Sequence, residues 1–211
     1  LQAGLEEVIE RDATTIAWYS TRDPLGLAVV DERFDRLASR ARSVGLTVTP
    51  LLVTGDIDVP VVACAVHRDS EWPRFAVGSA ARLDGAAAAT AALCEAIQNW
   101  TELDGMGPER AAEAGGEIGA YAAFPEAARE FVDPATTVAA ADVGMSDPPT
   151  GIEALRTLVE RVADVGLEPY ATRLTPPDLA ALGFEAVRVV VPEAQPLFTD
   201  EAFFGGRART V

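Results

Sequence analysis

Apolar positions recur at helical spacing over residues 3–19, with Leu5, Val8, Ile9 and Ile16 on one side. Asp23-Pro24 ends that pattern. A second helix is predicted over 31–44, apolar at Phe34, Leu37, Ala38 and Ala41 and closed by Gly45. Apolar runs at 46–54 and 59–66 read as strands around a Gly55-Asp56 turn, and 74–77 reads as a short third strand. An alanine-rich helix follows over 86–101. The stretch 105–149 is rich in Gly, Pro, Ala and Glu, and it predicts two short helices in otherwise irregular chain. Beyond it come a helix over 151–164 closed by Gly166, a strand over 168–174, a helical turn over 178–182 and a buried strand over 186–191 ended by Pro192.

Part of this pattern occurs twice. Residues 37–54, LASRARSVGLTVTPLLVT, align with residues 158–175, LVERVADVGLEPYATRLT, at an offset of 121 that places Val44-Gly45-Leu46 on Val165-Gly166-Leu167. The helices ahead of them align at an offset of 88, matching Leu5, Glu7, Ile9 and Glu10 with Leu93, Glu95, Ile97 and Gln98. The expected fold is α+β, with two pseudo-symmetric halves of mixed or antiparallel sheet flanked by helices. The first half covers about 1–80 and the second about 81–211, and the difference between the offsets puts an irregular insertion at about 103–150.

Composition narrows the chemistry. The chain has 211 residues, 49% of them hydrophobic and 24% charged, which is globular rather than disordered. Acidic residues number 33 against 17 basic ones, for a net charge of −16, and every basic residue is arginine. Without lysine there is no P-loop, no Schiff-base cofactor and no lysine nucleophile. A basic patch for nucleic acid is absent as well. The acidic, lysine-free surface suits a salt-adapted cytoplasm, where salt screens self-repulsion, or an acidic protein of a GC-rich genome. Cys64 and Cys94 make no disulfide framework. No apolar run approaches the ~20 residues of a membrane span, and no signal peptide is visible. A cytoplasmic location is therefore expected. The chain opens within a helical pattern at Leu1, so it reads as a fragment of a longer protein.

Glu7 and Glu10 share one helix face, with Cβ atoms roughly 5–6 Å apart. Two carboxylates so placed can share a divalent cation, although an acidic chain produces several such pairs by chance. A solvated face with Glu7 and Arg11 as an i,i+4 pair is the ordinary alternative. The second copy changes the weighing, because Glu95 and Gln98 occupy the equivalent face of the equivalent helix. In a pseudo-symmetric pair the four side chains would converge, and oxygen-only donors suit Mg²⁺ with phosphates and water. The helices carry no histidine at the spacing that a di-iron site needs.

Three segments carry a family resemblance. Residues 3–13, AGLEEVIERDA, resemble the first signature of the YcaO family, L-x-E-x-I-E-R-D-A. Residues 90–98, TAALCEAIQ, resemble its second, A-L-x-E-x-x-Q, preceded by Gly78 and Asp84. Residues 187–192, VRVVVP, resemble a third element, a strand carrying arginine and ending in proline. The resemblance implies a fold of the family's own that binds Mg²⁺ and ATP without a P-loop. It implies phosphorylation of a peptide backbone amide oxygen. An internal Cys, Ser or Thr then gives an azoline ring (cyclodehydration), and external sulfide gives a thioamide. It would assign Glu7, Glu10, Glu95 and Gln98 to Mg²⁺ and the phosphates, with Arg188 as a further phosphate contact. Implied partners are a peptide or protein substrate and a sulfur-donor or leader-peptide-binding protein. Strand pairing between subunits would give a homodimer.

The chain departs from the family's pattern in places. Ala3 and Ala91 stand where a small hydroxyl residue and an Arg or Asn are frequent, and Glu193 follows Pro192 where glycine is usual. No arginine occurs between Gln98 and Arg110. A degenerate member that binds a peptide or partner without catalysis is the alternative. A further alternative is an acidic domain whose two helices merely face solvent. Cys64 and His67 are expected on opposite faces of a strand, Cys94 buried, Trp18 and Trp100 in the core, and Arg207 in an exposed loop.

Overall fold

A computed structural model describes residues 1–19, 24–69, 72–114 and 132–196. Helix α1 spans Gln2–Tyr19 and strand β1 spans Leu25–Ala28. Helix α2, Glu32–Ser43, starts at Asp31, whose Oδ1 accepts the N–H groups of Arg33 and Phe34 at 2.9 and 2.8 Å. This side chain satisfies two amides that the first turn leaves unpaired. Strands β2 (Thr47–Leu52), β3 (Val61–His67) and β4 (Phe75–Ala81) form an antiparallel meander. Helix α3, Gly85–Met106, is capped by Asp84, which accepts the Ala87 N–H at 2.6 Å. Then come α4 (Pro108–Ala114), β5 (Thr137–Ala139), a 3₁₀ turn (Ala140–Asp142), α5 (Gly151–Asp164), β6 (Tyr170–Arg173), α6 (Pro177–Ala181) and β7 (Val187–Val190).

The main sheet is five-stranded and mixed, ordered β4-β3-β2-β1-β5, and β6 and β7 pair in a separate antiparallel ribbon. Its parallel pair is β1 with β5, Gly26 to Ala28 against Thr137 to Ala139. Alternation along β3 sends Val62, Cys64 and Val66 to the layer of α2 and α3, and Val61 and Ala63 to the layer of α1 and α5. Helices therefore cover both faces of the sheet.

The twice-occurring Val-Gly-Leu has a clear physical role. Gly45 and Gly166 take φ of 83° and 79° after α2 and α5. The N–H of Leu46 reaches Ala41 O and that of Leu167 reaches Val162 O, both at 3.2 Å. These are matching helix stops in which glycine turns the chain and the following leucine is buried. The order helix, strand, helix, strand, strand runs α1-β1-α2-β2-β3 and recurs as α3-β5-α5-β6-β7, with α4 and α6 intercalated.

The structure differs from the sequence reading in four places, the first being that β4 runs on to Ala81, four residues past the expected end at 77. Strands β1 and β5 have four and three residues, too few for a recognisable period, and β5 falls in the stretch read as irregular. Helix α3 continues five residues past 101, until Gly107 at φ 80° stops it. The 186–191 strand is buried only toward its end: Val187, Arg188 and Val190 of β7 are exposed, Val189 turns toward α1, and Val191 joins the core. Its apolarity suits a pleated ribbon covered on one side.

Helix α3 lies directly on β4. Ala88, Ala89, Ala92 and Ala96 are fully buried there. A Cβ at Gly78 would stand 2.3 Å from Ala96 N, 2.6 Å from Ala92 O and 2.7 Å from Glu95 Cβ. Gly78 is required by this approach of helix backbone to strand. Gly78→Ala is expected to destabilise the protein by about 2–3 kcal/mol, read as a lower denaturant midpoint with an unchanged slope.

Candidate functional site

The site follows from where α1 and α3 meet the rim of the sheet. On α1, Leu5, Ile9 and Ala13 are almost fully buried against the sheet. The adjoining stripe holds Glu6 and Glu10, one turn apart. On α3 the buried alanines face β4, and Glu95 reaches around to the strand's outer edge. Among the described residues β4 is the terminal strand of the sheet, and helices from opposite layers both come to its outer side.

Ser79 of β4 joins them. Its N–H donates to Glu95 Oε2 at 2.9 Å, and its hydroxyl donates to Glu10 Oε1 at 2.6 Å. Two residues back on the same edge, Val77 O accepts from Asn99 Nδ2 at 2.9 Å. Glu6, only 5% exposed, pairs with Arg82 at 3.2 Å and accepts from Gln2 Nε2 at 2.9 Å. Glu7 is half-exposed and ion-paired with Arg11 at 2.6 Å.

A cavity of about 760 Å³ opens here. Glu7, Glu10, Glu95 and Gln98 all line it, brought together from the two helices. Ala3 and Ala91 are also on its wall. The cationic groups facing it are Arg82 and Arg33, and the capping residues Asp31 and Asp84 lie at its rim. Arg188 is elsewhere. It sits on exposed β7 opposite Thr172 and does not line the cavity. Arg82, Glu6 and Ser79 carry no motif that the sequence reading could use. Their signal is only positional: Glu6 is one turn before Glu10, and Ser79 follows Gly78 on the strand.

Other expectations fare unevenly. Cys64 is buried, and burial pushes its thiol well above the ordinary range, which leaves it inert. Cys94 is not fully buried: it is on the cavity wall, because α3 turns that side toward the opening. Trp100 packs against the core, donates to Pro73 O at 3.3 Å and stacks under Arg68, whose guanidinium carbon is 5.2 Å from the ring centre. Trp18, near the end of α1, is 46% exposed rather than in the core. Neither tryptophan lines the cavity. Arg207 lies outside the described residues.

Electrostatics mark Glu10. Its carboxyl is pushed up from 4.5 to about 7, first by burial, with the charges of Glu95 and Glu7 adding and the Ser79 hydrogen bond and Arg82 opposing. A half-buried carboxylate among like charges is the environment that a cation relieves. Among the described residues no three Asp, Glu, His or Cys side chains form a ready-made cation cage. Mg²⁺ does not need one, since it is usually held by one or two carboxylates with water and phosphate oxygens. The donor set fits that ion.

The chain matches the YcaO family, described as YcaO cyclodehydratase, ATP- and Mg²⁺-binding, over residues 1–195. It belongs to the YcaO family. Among solved structures, YcaO from Methanopyrus kandleri bound with AMPPCP and Mg²⁺ matches with TM-score 0.71 and 28% identity, over 91% of this chain and 51% of that one. A heterocyclase in complex with substrate and cofactor gives TM-score 0.79 at 24% identity over 92% of this chain and 26% of its own. The heterocyclase TruD gives 0.74 at 22% identity over 96% and 28%. These last two likenesses bear on the fold alone. This YcaO chain thus spans about a quarter to a half of the length of the proteins it resembles. No curated protein sequence matches it significantly. No helix among the described residues is long and apolar enough to cross a membrane.

The raised Glu10 carboxyl makes a stability prediction for the metal-free protein. The folded state holds this proton up to about pH 7, whereas the unfolded chain releases it near 4.5. Its contribution is therefore fully present below 4.5 and lost as pH rises through 7. Glu10→Gln keeps an acceptor for Ser79 and carries no charge. In metal-free buffer above pH 7 it should be more stable than the parent by up to ~3 kcal/mol, and the gain should vanish below pH 4.5. Paired thermal melts across this range check it.

Proposed function

We propose that the cavity at the β4 edge binds Mg²⁺ and ATP, and that the intact protein phosphorylates a backbone amide of a peptide. In that reaction the amide oxygen attacks the γ-phosphorus and ADP leaves, a nucleophile adds at the amide carbon and gives up its proton, and the oxygen leaves as phosphate. A Cys, Ser or Thr side chain of the peptide closes an azoline ring, and sulfide gives a thioamide. The observation that carries the reading is the meeting of Glu10 and Glu95, from helices on opposite faces of the sheet, on the two polar groups of Ser79. Family membership supplies the nucleotide and the ion.

Six wall residues have a place in this reading. Glu10 and Glu95 hold the ion, with Glu7 and the Gln98 amide beside them. Bound Mg²⁺ would neutralise phosphate charge, the main demand of phosphoryl transfer. Glu6 fixes Arg82 at 3.2 Å and so aims a guanidinium into the cavity. Arg82 replaces Arg188 as the arginine placed to meet a phosphate, and the planar fork of arginine suits that contact. The peptide and any sulfur-donor or leader-binding partner act in the whole protein, of which these residues are a part.

A specific observation favours a second reading. Ala3 and Ala91 put methyl groups on the cavity wall where the family often has a hydroxyl residue and an Arg or Asn. A site without those contacts would bind nucleotide or peptide without turning it over. One experiment separates the two. Full-length protein is titrated with ATP with and without Mg²⁺, then incubated with peptide and assayed by mass spectrometry for loss of water or exchange of oxygen for sulfur. The Glu10→Ala, Glu95→Ala double variant should lose Mg²⁺-dependent binding by more than the ~10–100-fold that loss of an outer contact costs. Binding without peptide modification would select the second reading. An equal affinity in the variant would sink the nucleotide site at this cavity, and with it the first reading.

A further inference from the structure

We infer that Ser79 is a positioning residue, whose hydroxyl and N–H together set the separation of Glu10 and Glu95 for one divalent ion. The inference rests on the nucleotide-site reading above. Three independent facts of the fold lead to it.

The first is alternation. On β4, Ala76, Gly78 and Ala80 face the α3 layer, so the side chain of Ser79 points to the α1 layer. Its Oγ is thereby placed at 2.6 Å from Glu10 Oε1, within the range of an O–H···O hydrogen bond. The second is edge position. Among the described residues β4 pairs with β3 alone, and the Ser79 N–H, on its other side, is taken by Glu95 Oε2 at 2.9 Å. The third is the close approach at Gly78, which fixes how far α3 stands from the strand and hence where the Glu95 carboxylate arrives.

One residue thus touches both carboxylates, with its side chain on one and its backbone on the other. Each contact engages one named oxygen, and a carboxylate has lone pairs for more than one partner. Contacts of this kind behind ligands orient them and raise the affinity of a metal site. Glu95 is insensitive to the side chain at 79, because its bond is to backbone, whereas Glu10 depends on the hydroxyl. Ser79→Ala should therefore release Glu10 and leave Glu95 in place.

The test uses full-length protein, AMPPCP and Mn²⁺, with bound Mn²⁺ followed by electron paramagnetic resonance. Ser79→Ala should weaken Mn²⁺ binding by ~10-fold, with a changed line shape for the bound ion. AMPPCP affinity without divalent ion should stay at the parent's value, and the metal-free Tm should fall only by what one lost hydrogen bond implies. Ser79→Thr, which restores a hydroxyl, should recover the affinity. Glu10→Gln serves as the reference for losing one ligand. Unchanged Mn²⁺ binding in Ser79→Ala beside a clear loss in Glu10→Gln would overturn the role of Ser79 and leave the nucleotide site standing. Loss of Tm and of metal-free nucleotide affinity along with Mn²⁺ would make Ser79 merely structural. No recovery in Ser79→Thr would also count against the hydroxyl. Failure of the parent protein to take up Mn²⁺ with AMPPCP would remove the nucleotide-site reading and this inference with it.

Discussion

The absence of a side chain at residue 78 holds this structure together at its most demanding point. With the Ala96 amide nitrogen 2.3 Å from where a Cβ would be, the α3 backbone rests on β4 with nothing between them. The alanines at 88, 89, 92 and 96 continue the contact, so a long helix is seated by small residues rather than by interlocking large ones. Such a seat has little tolerance. It fixes the height and rotation of α3, and through them the place at which Glu95 meets the edge of the strand.

The site is built where a sheet ends. A central strand can be approached by a helix only from above or below, but an edge strand can be approached from both layers at once. Glu10 comes from one layer and Glu95 from the other, and the strand between them offers a hydroxyl and an amide. The fold gives up stability for this arrangement. Burial and neighbouring charge lift the Glu10 carboxyl toward neutral pH, which is a standing electrostatic strain until a cation is present. Arginine alone balances the acid, through Glu6 with Arg82 inside and Glu7 with Arg11 outside.

Much of this was legible in the chain. The amphipathic spacing of α1, α2 and α5 and the apolar runs of β2 and β3 are strong local signals, and the repeated Val-Gly-Leu is a local stop whose physics is complete within six residues. Glu7, Glu10, Glu95 and Gln98 could be found because their spacing is written on two helices. Ser79, Glu6 and Arg82 could not, since their roles come from tertiary placement: a strand's face, an edge, a partner across the cavity. β1 and β5 escaped for a similar reason, because three or four residues become a strand only when a distant segment pairs with them. Arg188 was assigned from the likeness of its strand to a family element, and it does not line the cavity. Its strand belongs to a ribbon beyond the cavity, and no local pattern tells which sheet a short strand will join.

Exposed sheet edges ordinarily invite other chains to add strands, and proteins protect them. Here the guards of the β4 edge are side chains of α3: Glu95 occupies the Ser79 amide and Asn99 the Val77 carbonyl. The carboxylate that faces the cavity is thus also part of what keeps this rim from recruiting a neighbouring molecule. Removing the acceptor at residue 95 would therefore uncover a strand amide as well as empty one wall of the cavity.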